Sequence, residues 1–395
     1  MIRRRDTLIG AAGLTVLVLL GVASACMDER ANDAQIADGD VPLFEVDPFW
    51  PRPLPNHWVL GSAIGVSVDS RDHVWIIHRQ GTVEGGELGA VRDPPTAECC
   101  GPAPPVLEFD PEGNLVGSWG GPGEGYDWPA SNHGIMVDHM DNVWIGGNAD
   151  ADSHMLKFTR NGEFLLQLGQ PGMRTGSNDS LNFWRVADLS IDPEANEVYV
   201  ADGYGNKRIA VLDVQTGDMK RFWGAYGNVP DDSPIPPYDP DDPPAQQFRS
   251  PMHCAEISHD DLVYACDRAS DRIQVFETDG TFLREAFVAP ETTGSGSVWD
   301  ISFSHDPEQR FLYLADGSNM KVHILDRETL EVLTSFGDGG RYPGQFFGTH
   351  SIATDSQGNI YTTETYEGKR LQKFVFKGMG TAPRDQGVVW PEGSD

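Results

Sequence analysis

GVSVDSRDHVWIIHR, residues 65–79, is the stretch of sequence that decides the fold. Apolar and polar residues alternate up to Val68, a polar turn follows, and a second apolar run begins at Val74 and Trp75. Alternation with a period of two on both sides of a polar turn predicts two antiparallel strands and argues against a helix. Residues 134–148, GIMVDHMDNVWIGGN, repeat the pattern with the tryptophan in the same place. The chain is therefore built from a repeated β-unit.

Four more copies of this unit follow, and they begin at Asp188, Ala255, Asp300 and Ser351. In these copies a loop rich in Gly, Asp and Asn follows the second strand and leads to a third strand. Most copies end in an outer strand that closes with an aromatic residue and a glycine: Trp119-Gly120, Trp223-Gly224 and Phe336-Gly337. A repeat of about 40–50 residues with four strands is typical of a propeller blade. The sequence predicts an all-β, six-bladed β-propeller, and propellers of the NHL-repeat type resemble it.

The two ends of the repeat array predict how the ring closes. The sixth copy has no outer strand after Phe376, and residues 41–50 (VPLFEVDPFW) have no blade of their own. Pairing the two segments would remove an exposed sheet edge, which propellers must avoid. We predict one propeller domain over residues 41–377, closed by an N-terminal strand and followed by a C-terminal tail, 378–395.

The first residues have the features of an export signal. Arg3, Arg4 and Arg5 precede an apolar run over residues 8–23, and small residues lead to Cys26. This pattern predicts a secretory signal over residues 1–25, too short to span a bilayer comfortably, followed by a polar linker, 27–40. We expect an exported protein, either periplasmic, anchored to the cell envelope or extracellular. Lipid attachment at Cys26 and simple cleavage both stay open, and such a lipid would be its one link to a membrane.

Charge and cysteine content limit the partners and the cross-links. The formal net charge is −31, from 29 basic and 60 acidic residues, so nucleic acid and anionic lipid headgroups are not expected partners. Without Cys26 four cysteines remain, which permits two disulfides in an exported chain. A Cys254–Cys266 bond would link neighbouring strands, Cys99 and Cys100 are adjacent, and reduced thiols are the alternative. We expect a monomer.

Two insertions interrupt the repeats. Residues 82–105 carry Cys99 and Cys100, and residues 228–244 (NVPDDSPIPPYDPDDPP) are acidic and rich in proline. The second insertion predicts an extended surface loop, which could cap one face, bind a cation or be merely solvated.

Histidine recurs at one position of the repeat. The residues just before each first strand are, in blade order, Ile64, His133, Ala187, His253, Trp299 and His350. First strands line the channel of a propeller, so histidines on alternate blades would converge about 120° apart, as zinc or another divalent metal requires, and leave a coordination position open. Three channel histidines bonded to water or backbone are the alternative.

A second position marks the rim of the same face. Four residues beyond the start of each second strand stand Arg79, Asn148, Gly203, Arg268, Gly317 and Thr365. Arg79 and Arg268 could hold a carboxylate, and Tyr204, next to Gly203, could carry a proton. Solvated arginines and a packed tyrosine are the alternatives. The pattern predicts a catalytic mouth for a small-molecule or peptide substrate that carries a carboxylate.

Residues 60–373 resemble the lyase domain of peptidylglycine α-amidating enzymes, the peptidyl-α-hydroxyglycine α-amidating lyases. The segments GVSVDSRDHVWIIHRQG, VADGYGNKRI and CDRASDRIQVF are similar to that family's His-Arg-Gly, Asp-Gly-Tyr-Cys-Asn-Ser-Arg and Ala-Asp-Arg…Arg-Ile-Gln segments. The resemblance implies three zinc ligands at His133, His253 and His350. It also implies two active-site arginines at Arg79 and Arg268 and a catalytic tyrosine at Tyr204. The implied reaction cleaves an N-acyl or peptidyl α-hydroxyglycine to a primary amide and glyoxylate.

The sequence departs from this family at several points. Gly348-Thr349-His350-Ser351 stands where the family has Met-Pro-His-Asp, and Gly205 replaces a cysteine. The family's aspartate helps bind a structural calcium ion, so Ser351 leaves calcium open. No copper monooxygenase domain accompanies the propeller, so we expect either that another enzyme supplies the hydroxylated substrate or that the substrate is a different compound. The alternatives are a non-catalytic propeller that binds a peptide, glycan or protein, and a metal-dependent hydrolase that uses the same site.

Overall fold

The computed structural model describes residues 39–391, and it confirms the six-bladed β-propeller. The predicted signal, Cys26 and all but the end of the linker lie outside the described residues. Six four-stranded antiparallel sheets form the blades, and in each sheet of the first five blades the strands run in chain order from the channel outwards. No helix in the part of the chain described is long and apolar enough to cross a membrane.

The strands occupy equivalent positions in all six blades. The innermost strands of blades one to six are Ser62–Val68, Asn132–Val137, Asp188–Asp192, Met252–Ile257, Asp300–Phe303 and Thr349–Thr354. The second strands are Val74–Arg79, Asn142–Gly147, Glu197–Asp202, Leu262–Asp267, Phe311–Asp316 and Ile360–Glu364. The third strands are Val106–Phe109, His154–Thr159, Arg208–Asp213, Arg272–Glu277, Lys321–Asp326 and Arg370–Gly380. The outer strands are Leu115–Trp119, Phe164–Gly169, Met219–Trp223, Phe282–Phe287, Val332–Phe336 and, for blade six, Val41–Asp47.

In blades one, two and six a repeated aspartate and aromatic residue hold the inner turn against its blade. Asp69 ends the first inner strand, and its Oδ2 accepts a hydrogen bond from Trp75 Nε1 at 3.0 Å. Asp138 accepts from Trp144 in the same way, and Asp355 accepts from the Tyr361 hydroxyl at 2.8 Å. These aromatic rings are buried between adjacent sheets, where the apolar core lies. Each inner strand packs against the next, and blade six packs against blade one, so the inner strands enclose a channel.

The predicted closure of the ring is confirmed. Val41–Asp47 pairs antiparallel with the third strand of blade six, from Val41 opposite Gly380 to Asp47 opposite Lys373. That third strand continues past residue 377 because the N-terminal strand pairs along its whole outer part. The chain then runs beside the outer strand of blade five, where Ser335 N donates to Arg384 O at 3.0 Å and Gly337 N to Gly387 O at 2.7 Å.

The cysteines and the insertions add local cross-links. Cys254–Cys266 joins the inner and second strands of blade four, and Cys99 is bonded to Cys100. In the first insertion Gly101–Pro102 forms a short strand that pairs in parallel with Trp58–Val59, which precedes blade one. The second insertion is an irregular loop that bonds to the connection between blades two and three, where Ser177 N donates to Asp232 Oδ2 at 2.9 Å. Short 3₁₀ helices lie at Gln80–Thr82, Gly85–Val91, Ala225–Gly227 and Arg268–Ser270.

Candidate active site

The three histidines predicted from the register meet in the channel. His133, His253 and His350 lie near the starts of the inner strands of blades two, four and six, and their side-chain ligand atoms lie within 4.8 Å of one another. The pairing of each of these inner strands with its neighbour is interrupted at the histidine by a register shift. Because such a shift re-aims a side chain, it turns the histidine towards the channel. All three are at most 3% exposed.

The hydrogen bonds of the imidazoles fix which nitrogen is available. Nδ1–H of His133, His253 and His350 donates to the carbonyl oxygens of Ala187 (2.6 Å), Trp299 (2.6 Å) and Ile64 (2.7 Å). Each acceptor occupies the same register position as its histidine, but in the next blade. Because histidine alternates with other residues around the ring, each histidine bonds to the carbonyl of a non-histidine residue in the following blade. A carbonyl can only accept, so Nδ1 carries the proton and Nε2 keeps its lone pair.

Burial keeps these imidazoles neutral. It lowers the pKa of His133 and His253 well below the ordinary value, and nearby positive charges, including that of Arg268, lower it further. It lowers the pKa of His350 to about 3, again helped by Arg268 and by Arg79. Neutral imidazoles are the protonation state that binds a metal ion.

The Nε2 atoms of the three histidines face fewer hydrogen-bond donors than they have lone pairs, and this favours the binding of a cation. The Tyr204 hydroxyl lies 3.2 Å from Nε2 of His133 and 3.1 Å from Nε2 of His253, and it has one proton for the two. No donor to Nε2 of His350 is found in residues 39–391. Three buried lone pairs that face so few donors fit a divalent metal, and zinc prefers imidazole nitrogen.

Two glycines let Tyr204 reach this position. A Cβ atom at Gly203 would lie 1.8 Å from the carbonyl oxygen of Met252, and one at Gly205 would lie 2.3 Å from Cδ2 of Trp184. The loop can therefore press against the start of the blade-four inner strand only if both neighbours of Tyr204 lack a side chain. Gly205 stands where the amidating lyases have a cysteine, and the structure explains this departure, because a cysteine side chain at this position would collide with Trp184.

The two predicted arginines flank the tyrosine without acidic partners. Arg268 donates from Nη1 to the Tyr204 hydroxyl at 3.1 Å and from Nε to Ser295 O at 3.0 Å, and it stacks on Trp299 at 4.3 Å. Arg79 donates from Nη2 to Asn148 Oδ1 at 2.7 Å. Among the ion pairs of residues 39–391, none involves either guanidinium. Both are free to bind an anion.

Sequence reasoning missed a third arginine at this mouth. The guanidinium carbon of Arg185 lies 5.6 Å from the centre of the Tyr204 ring, the same distance as that of Arg268. Arg185 belongs to the connection between blades two and three, which has no repeated sequence, so no register could have identified it.

An acidic group lies deeper in the channel. Asp188, Glu256 and Asp300 come from blades three, four and five, and their carboxylate oxygens lie within 4.8 Å of one another. Beyond them the channel holds a cavity of about 210 Å³. The hydroxyl of Ser351 donates to Asp300 Oδ2 at 2.6 Å. The serine that replaces the family's aspartate thus bonds to a carboxylate on a neighbouring blade.

These carboxyl groups share protons. Burial raises the pKa of Asp188 and Glu256 well above the ordinary values, their mutual repulsion raises it further, and Glu256 donates a hydrogen bond to Asp188. Burial also raises the pKa of Asp300, to about 7. These three carboxyl groups therefore bind more protons in the folded protein than in the unfolded chain between about pH 4 and 7, and their contribution to stability falls as the pH rises through this range.

Glu256→Gln is expected to stabilise the metal-free protein at pH 8 and to change its stability much less at pH 5. The amide can still donate to Asp188, and it removes a carboxyl group that must otherwise ionise beside two others. We expect a gain of roughly 1 kcal/mol in the free energy of unfolding at pH 8. Denaturant unfolding in the presence of EDTA at both pH values measures it. Exposed Glu163→Gln is the matched control, and a loss of stability at pH 8 would contradict the prediction.

Curated relatives cover most of this chain at low identity. The "Peptidylglycine alpha-amidating monooxygenase" of Rattus norvegicus is 28% identical over 318 residues, which are 78% of this chain and 30% of that protein. The "Peptidyl-alpha-hydroxyglycine alpha-amidating lyase 1" of Drosophila melanogaster is 25% identical over 357 residues, 84% of this chain and 59% of that protein. The chain thus spans about a third to three-fifths of the length of these two relatives.

A third relative has the same extent as this chain. The "NHL repeat-containing protein 3" of Mus musculus is 24% identical over 354 residues, which cover 85% of this chain and 84% of that protein. No protein-family model matches the chain. A solved structure of a protein of unknown function from Bacteroides thetaiotaomicron shares the fold, with a TM-score of 0.50, 14% identity and coverage of 81% of this chain and 70% of its own. The chain is a six-bladed β-propeller and a distant homologue of the peptidyl-α-hydroxyglycine α-amidating lyases and of NHL repeat-containing protein 3.

Proposed function

We propose that this protein is an exported, metal-dependent lyase that cleaves an N-acyl or peptidyl α-hydroxyglycine to a primary amide and glyoxylate. One observation carries the proposal: the Tyr204 hydroxyl lies between Nε2 of two neutral histidines and the guanidinium of Arg268. The proposal is supported because such an arrangement would bring a proton carrier, metal ligands and an anion-binding group around one point. The name of the relative from Drosophila melanogaster, an α-amidating lyase, supports the same reaction class.

The metal would be held by Nε2 of His133, His253 and His350. Zinc or another divalent ion bound there supplies Lewis-acid polarisation of a substrate oxygen. Arg79 and Arg268 would bind the substrate carboxylate, since each offers guanidinium N–H groups with no acidic partner among the described residues. Trp299 stacks on Arg268 and fixes the plane of its fork.

The reaction needs a proton to move but consumes no water and no oxidant. The substrate hydroxyl loses its proton, the bond between the α-carbon and nitrogen breaks, and the nitrogen gains a proton to become the primary amide. Tyr204 would relay that proton, since Arg268 donates to its oxygen and would stabilise negative charge that develops there.

Release of glyoxylate by the purified chain tests the proposal. With N-benzoyl-α-hydroxyglycine as substrate we expect equal amounts of glyoxylate and benzamide, loss of turnover after chelation and recovery when zinc is added back. Spontaneous breakdown is subtracted in a reaction without protein. Fully metallated protein that releases no glyoxylate would refute this substrate class and favour a hydrolase or a non-catalytic propeller. Release that survives complete removal of metal would refute the metal dependence.

A further inference from the structure

We propose that Arg185 is a third anion-binding position, through which the mouth selects substrates whose acyl group carries its own carboxylate next to the hydroxyglycine unit. The inference rests on the proposed function, because it names the class of substrate that the same site takes. It starts from a side chain that neither the repeat register nor the family resemblance identifies.

The backbone holds Arg185 in place. Its φ of 62° lies in the left-handed region, which an arginine seldom adopts without support from its surroundings. Its N–H donates to Asp152 O at 2.8 Å, and its carbonyl accepts from Tyr204 N at 3.1 Å. The second of these bonds ties the segment directly to the tyrosine of the site. Strained backbone of this kind concentrates at functional sites, so it points to a selected position for the side chain.

Shared partners place three guanidinium groups around the mouth. Asn148 accepts from Arg79 Nη2 through its side chain and from Arg185 Nε through its carbonyl oxygen, both at 2.7 Å. The Tyr204 ring lies 5.6 Å from the guanidinium carbons of both Arg185 and Arg268. The order around the site is therefore Arg79, Asn148, Arg185, Tyr204 and Arg268.

Arg185 makes no ion pair or hydrogen bond with a carboxylate in the part of the chain described, although the hydrogen bond from Arg174 and, less strongly, the charge of Arg185 lower the pKa of Asp150. Its Nε donates to a carbonyl, and its two Nη atoms make no hydrogen bond to residues 39–391. The neighbouring carboxylates are engaged elsewhere. Asp150 pairs with Arg174 at 2.7 Å, and Asp152 accepts three backbone N–H groups, those of Ala130, Ser131 and Ala149.

This charge balance favours a substrate with two negative groups. One substrate carboxylate can bind Arg79 and Arg268, which leaves the Nη groups of Arg185 beside it without a carboxylate in hydrogen-bond contact. A chain with a net charge of −31 repels anions over most of its surface, so an unpaired cluster of arginines focuses them on this mouth. A second carboxylate on the acyl side of the substrate would meet the free Nη groups of Arg185 in a charge-assisted hydrogen bond.

Equilibrium binding separates this inference from catalysis. The probes are two acidic peptides, acetyl-Glu-Gly and acetyl-Asp-Gly. Each is compared with its neutral counterpart, acetyl-Gln-Gly or acetyl-Asn-Gly. All four peptides lack the α-hydroxyl group, so they are not turned over. Calorimetric titration of the zinc-loaded full chain should show that at least one acidic peptide binds about tenfold more tightly than its neutral partner. Arg185→Gln should reduce that ratio to about one, and Arg185→Lys should keep an intermediate ratio.

Arg174→Gln is the matched control. It removes the same charge from the same connection, but Arg174 already pairs with Asp150 and stacks on Trp184, so the ratio should stay within twofold of the wild-type value. Ratios near one in the wild type, or a ratio that survives in Arg185→Gln, would overturn the inference. The same peptides with an α-hydroxyglycine terminus then report turnover. A preference that depends on Arg185, together with no glyoxylate release from any of them, would refute only the proposed function.

Discussion

His253→Ala is expected to lower glyoxylate release by at least roughly 10³-fold and to abolish tight zinc binding. The imidazole supplies one of three Nε2 lone pairs, and no other side chain in the described channel can replace it at that height. The loss also removes one of the two imidazoles that contact the Tyr204 hydroxyl. Steady-state turnover and metal content of the dialysed protein, measured on the same preparation, check both effects.

The fold should tolerate this substitution, so loss of activity can be assigned to the site. The neighbouring Cys254–Cys266 disulfide and the ladder between the inner and second strands of blade four do not involve the imidazole. His139→Ala is the control, because His139 lies exposed on a turn of blade two. A His253→Ala protein that keeps both zinc and turnover would show that the three histidines are structural channel residues.

The fold was predictable because each blade repeats the same arrangement of strands and turns. In blades one, two and six an aspartate accepts a hydrogen bond from an aromatic residue six positions later, as Asp69 does from Trp75, and the same strand–turn–strand pattern recurs in the other blades. Equivalent positions therefore lie at one height in the channel, and three histidines in one register had to converge. The sequence also contained the closure of the ring, since the missing outer strand and the unassigned N-terminal segment complement each other.

Other features of the site depend on contacts that no repeat specifies. The proton positions on the histidines follow from carbonyl groups of the next blade, which only the closed ring brings within 2.7 Å. Arg185 lies in a connection of irregular sequence, and its position depends on a left-handed backbone and on Asn148. The sequence did not reveal the group formed by Asp188, Glu256 and Asp300, because these residues do not share one position of the repeat. Asp188 and Asp300 directly follow Ala187 and Trp299, whereas Glu256 stands three residues after His253.

The Tyr204 hydroxyl contacts two of the three channel histidines and the guanidinium of Arg268. Its oxygen accepts from Arg268 at 3.1 Å, and its single proton can go to only one of two imidazole nitrogens at about equal distances, 3.1 and 3.2 Å. A phenylalanine at this position would keep the ring contacts with His133 and His253, whose ring centres lie 4.9 and 5.4 Å away. Tyr204→Phe therefore separates the proton-carrying role of the hydroxyl from the packing role of the ring.

Tyr204→Phe is expected to lower kcat by about 10²- to 10⁴-fold, the range for loss of a general acid or base, with zinc content unchanged. Metal analysis and steady-state kinetics on the same preparation check it. Tyr342→Phe is the control, because Tyr342 is 77% exposed. Turnover within about threefold of the wild type would exclude Tyr204 as the proton carrier. Arg268 would then remain as a carboxylate-binding group whose position the phenol only supports.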